Sequence, residues 1–91
     1  SLKKAHYAAD RIAAVPGFSL AFDRPFFKEF VIKANRPISE INQALLGRNI
    51  IGGLDLSCYY PELKDHMLLC VTERRTRAEI DTLVSVLEGM S

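Results

Sequence analysis

This chain has few of the residues and patterns that mark a self-contained enzyme or a nucleic-acid binder. It has two cysteines, Cys58 and Cys70. They form no C-x-x-C and come with no paired histidine, so they match no zinc or iron–sulfur pattern. Cys70 lies in an apolar run, where a free thiol behaves as a small hydrophobe. Both are expected to be reduced, which places the chain in the cytoplasm. Twelve basic residues face 11 acidic ones, a net charge of +1. No long-range field therefore draws nucleic acid or an anionic membrane. No apolar run approaches the roughly 20 residues that span a bilayer. No signal peptide, Asn-x-Ser/Thr sequon, P-loop or G-x-G-x-x-G motif is present.

Catalytic constellations are missing as well. A serine or cysteine nucleophile needs a base held by a third group, and no such arrangement can be picked out. A Schiff-base lysine needs a desolvated pocket, yet Lys3, Lys4, Lys28, Lys33 and Lys64 all sit among polar neighbours. His6 falls on the polar side of a helix and reads as a solvated histidine. Three phenylalanines, Phe26, Phe27 and Phe30, could stack bases, but a basic surface and an RNP-type signature are absent, so they read as core.

What is present is the pattern of one small domain. At 91 residues, 48% hydrophobic and 25% charged, the chain can bury one modest core. Met67-Leu68-Leu69-Cys70-Val71 is its longest apolar run, and it suits a strand buried on both faces. After it, Thr76-Arg77-Ala78-Glu79 reads as a capping box. Ile80, Leu83, Val84 and Leu87 then mark one stripe of a helix that ends near Gly89. Upstream, Leu2 to Val15 is helical, with a shallow stripe of Leu2, Ala5, Ala8, Ala9, Ile12 and Val15, stopped by Pro16-Gly17. Phe18, Leu20 and Phe22 alternate as a short strand. Asp23-Arg24-Pro25 turns the chain. Phe26 to Ala34 is a second strand, expected beside Met67–Val71, with Phe26, Phe30 and Ile32 on one face and Phe27 and Val31 on the other. A helix over Ile38 to Leu46 follows, with Gly47 as its left-handed stop. Asn49-Ile50-Ile51 reads as a short strand or extended piece. If it shares a sheet with Phe26–Ala34, the intervening crossover should be right-handed. The fold class is α+β: a small, mostly antiparallel sheet with helices mainly on one face.

The segment from Gly52 to His66 stands apart. Gly52-Gly53 lets the backbone turn or approach something closely. Leu54 to Asp65 is long, irregular and rich in apolar residues, which points to a docked loop. Tyr59 and Tyr60 read as exposed or half-buried anchors and His66 as a capping or interface residue. Gly52, Gly53, Leu54, Tyr59, Tyr60 and His66 are the candidate interface residues. Arg74-Arg75 reads as a solvated turn. Because the chain starts at Ser1 and runs almost directly into a helix, it reads as a piece of a longer protein.

Several stretches carry a resemblance: Phe26-Phe27-Lys28-Glu29-Phe30-Val31-Ile32, Glu40-Ile41-Asn42-Gln43-Ala44-Leu45-Leu46, Ile50-Ile51-Gly52-Gly53-Leu54-Asp55-Leu56, Tyr59-Tyr60-Pro61-Glu62-Leu63 and His66-Met67-Leu68-Leu69-Cys70-Val71-Thr72-Glu73. Together they resemble the C-terminal end of a glycine decarboxylase, the P-protein of the glycine cleavage system, in its two-subunit form (subunit 1). The resemblance implies the small C-terminal domain of an aspartate-aminotransferase-type pyridoxal-phosphate enzyme. It implies an oxidoreductase that decarboxylates glycine and passes the aminomethyl group to the lipoyl H-protein. It also implies that pyridoxal phosphate is attached to the other subunit, with none in this fragment. The implied partners are the large domain of the same subunit, subunit 2 and the H-protein, with neither nucleic acid nor membrane. Aminotransferases often hold the substrate carboxylate with an arginine on the strand before the last helix. Here that stretch is Leu68-Leu69-Cys70-Val71-Thr72, so no catalytic or cofactor-binding residue carries over, and the fragment is expected to be inactive alone. The alternative reading is a free-standing ferredoxin-like regulatory module that binds a small amino acid. Its usual glycine-containing ligand loop has no counterpart in Asn35-Arg36-Pro37.

Overall fold

A computed structural model of the chain describes residues 2–22, 28–72 and 74–91. Helix α1 spans Leu2–Ala13, and strands β1 (Ser19–Leu20) and β2 (Glu29–Lys33) follow. Helix α2 spans Ile38–Leu46, then come β3 (Leu54–Asp55), β4 (His66–Cys70) and helix α3 (Arg77–Gly89). The expected Asp23-Arg24-Pro25 turn, and Phe26 and Phe27 of the expected second strand, lie outside the described residues.

The sheet order is β1-β2-β4-β3, with every neighbouring pair antiparallel. The two long strands are central and paired as expected, Phe30 opposite Leu69 and Ile32 opposite Met67. β2 and β3 both run against β4, so they are parallel to each other with β4 between them. Phe30, Ile32, Met67, Leu69 and Val71 lie on one face and are buried. They join Ala5, Ala8, Ala9 and Ile12 of α1, Ile38, Ile41 and Leu45 of α2, and Ile80, Leu83, Val84 and Leu87 of α3 in one core. Burying each large side chain there contributes about 1.5–3 kcal/mol. The alanine stripe lets α1 lie close, and α1 packs on α3.

Polar contacts link α1 to α3 at the surface. Arg11 Nη1 donates to Tyr7 Oη at 2.7 Å and to Asp81 Oδ1 at 2.9 Å. The hydrogen bond to Tyr7 is the main cause holding the Arg11 pKa above its usual value. The Arg77 guanidinium stacks 4.0 Å over the Tyr7 ring. Thr76 caps α3 by accepting from the Glu79 amide at 3.1 Å, while the Glu79 carboxylate lies 3.9 Å from Arg75 Nη1.

The structure corrects three expectations. First, Gly47 has right-handed φ, −62°. The left-handed residue is Asn49, φ 63°. The Ile50 amide returns to the Leu45 carbonyl and the Asn49 amide to the Leu46 carbonyl, both at 2.9 Å, a Schellman ending with asparagine in the usual glycine place. Second, Asn49-Ile50-Ile51 is therefore part of that ending, and the strand forms at Leu54–Asp55. Third, β4 is not buried on both faces: Met67 and Leu69 are covered, whereas His66, Leu68 and Cys70 are half-buried.

Candidate functional site

The segment from Gly52 to His66 begins with a clasp. Asn42, on α2, donates from Nδ2 to the Gly53 carbonyl at 2.8 Å and accepts from the Gly53 amide at 3.3 Å. Its carboxamide thus mimics one rung of a β-ladder and seats the backbone just before β3. The Gly53 amide also lies 3.2 Å from the Met67 sulfur. A Cβ on Gly53 would come within 2.3 Å of Met67 Cγ and 2.5 Å of the Leu68 carbonyl oxygen, and one on Gly52 within 2.0 Å of Asn42 Oδ1. Close approach inside the fold therefore accounts for both glycines.

Beyond the clasp the loop is more regular than its sequence reads. β3 pairs Leu54 with Leu68 and Asp55 with Met67. Two 3₁₀ turns follow, Leu56–Cys58 and Pro61–Leu63. Asp55 Oδ1 caps the first, accepting from the Ser57 amide at 3.0 Å and the Ser57 hydroxyl at 2.7 Å. Leu56 is the buried anchor, and its carbonyl accepts from the Tyr59 and Tyr60 amides. With the backbone so tied, Tyr59 and Tyr60 project outward, 66% and 52% exposed. His66 closes the return: its Nδ1 lies 2.7 Å from the Lys64 carbonyl oxygen. That oxygen can only accept, so Nδ1 carries the hydrogen.

The six candidate residues do not converge. Gly52 and Gly53 are taken up by the clasp, whereas Leu54 and His66 share the sheet face away from the helices. The tyrosines stand on a separate rigid turn. Sequence reading missed Asn42, whose role depends on a backbone brought up from 11 positions away. It also missed Arg75, which is not solvated: its side chain is 14% exposed and donates to the Ile51 carbonyl at 3.0 Å. Cys58 and Cys70 are free thiols.

Two surface depressions among the described residues are small. One, beside Asn49, Thr72, Arg74 and Arg75, holds about 230 Å³. Another, beside Asn42, Leu46, Ile51 and Gly52, holds about 180 Å³. Both fall short of the roughly 300 Å³ of small-molecule sites. Lys3, Lys28, Lys33 and Lys64 are exposed and Lys4 is half-buried, so none has the desolvated setting that a cofactor lysine needs. No lysine among the described residues is placed to anchor pyridoxal phosphate. Among them no three His, Cys, Asp or Glu side chains group to hold a metal, and no helix is long and apolar enough to cross a membrane.

No family model matches the chain. Curated proteins do. The probable glycine dehydrogenase (decarboxylating) subunit 1 of Desulfitobacterium hafniense is 56% identical over 85 residues, 93% of this chain and 19% of that protein. The same subunit of Brevibacillus brevis is 50% identical over 91 residues, all of this chain and 20% of that protein. The chain is a homologue of part of glycine dehydrogenase subunit 1. It spans about a fifth of the length of the curated relatives it matches. Solved structures agree on the fold. A glycine decarboxylase (P-protein) of the glycine cleavage system superposes with TM-score 0.84 at 23% identity, over all of this chain and 20% of that one. A phosphoserine aminotransferase from Cytophaga hutchinsonii superposes with TM-score 0.76 at 16% identity, over 97% and 24%. The fold shared by these two enzymes is thus that of the glycine dehydrogenase subunit 1 segment: an antiparallel four-stranded sheet and three helices.

Proposed function

We propose that residues 1–91 are the C-terminal domain of a glycine dehydrogenase (decarboxylating) subunit 1, an oxidoreductase of the cytoplasmic glycine cleavage system. In this reading the domain braces and docks while the chemistry proceeds elsewhere. Pyridoxal phosphate would be held by subunit 2, where it would supply an electron sink, and the lipoyl H-protein would be the acceptor of the aminomethyl group. Gly52, Gly53, Leu54, Tyr59, Tyr60 and His66 belong to the segment that meets the large domain or subunit 2. The rigid turn that presents two exposed tyrosines suits an anchor, since tyrosine offers apolar area with a polar tip.

The observation that carries this reading is the match at 50% identity across the whole chain to a fifth of the subunit. The absence of a buried lysine among the described residues agrees with it. The test uses the complete reading frame of the gene, produced with subunit 2, and carbon dioxide release from carboxyl-labelled glycine. The assembled enzyme should release label, and removing residues 1–91 should abolish the release. Label released by the 91-residue chain alone would overturn the reading.

A further inference from the structure

We draw no further inference here: the strongest candidate, the apolar depression that Leu46 and Ile51 expose beside Gly52 at the end of α2, is an unpartnered face and nothing in the structure shows what covers it.

Discussion

Leu68 and Leu69 are adjacent in one strand and live in opposite surroundings. Leu69 is buried against three helices; Leu68 is half-covered and faces outward with Val31 and Leu54. One face of the sheet is completed by this chain, and the other carries side chains chosen as if for a second layer. Along Met67–Val71 the sequence does not alternate, because neither face is meant to be fully wet. The structure separates the two obligations: one is met locally by α1, α2 and α3, and we assign the other to the rest of a longer protein.

This contrast predicts a gradient of effects in urea unfolding of the 91-residue chain. Leu69→Ala, on the completed face, should cost about 3 kcal/mol through lost burial and the cavity left behind. A cost below about 1 kcal/mol would mean that the helices do not seal that face. Gly53→Val should cost about 2 kcal/mol, since its Cβ would collide with the Leu68 carbonyl, which only a backbone shift can relieve. Asn42→Ala leaves the Gly53 amide and carbonyl without their side-chain partner and should cost about 1–2 kcal/mol. Tyr59→Ser, at an exposed position, should stay within about 0.5 kcal/mol. The same Tyr59 change should weaken association with subunit 2 or the large domain if the turn is an anchor; binding measured on the assembled enzyme checks this.

Much of the covered face was legible in the sequence. The stripe Ile80, Leu83, Val84, Leu87 is buried as its spacing requires, and so is the alanine-rich stripe of α1. The pairing of the two long strands also followed from their bulk. Two of the misses share one physical cause, a contact distant in sequence, and the third is a local choice between Gly47 and Asn49. β3 has two residues and is a strand only because Met67 and Leu68 lie beside it. Asn49 takes the left-handed turn because Ile50 must reach back to Leu45, and no local rule prefers it over Gly47. Arg75 reads as solvated until the Ile51 carbonyl arrives beside it. Of the candidate site, Tyr59, Tyr60 and Leu54 were legible as apolar residues in a loop. The outward face of the sheet was not, because an unbroken run such as Met67–Val71 shows that both faces want cover and not which face the chain covers itself.

The most direct test is the cost of Leu68→Ala measured twice, in the 91-residue chain and in the complete subunit, with Leu69→Ala as the internal standard. The account predicts a cost of at most about 1 kcal/mol for Leu68→Ala in the short chain and about 2–3 kcal/mol in the complete subunit, with Leu69→Ala the same in both. Equal Leu68→Ala costs in the two proteins would contradict it.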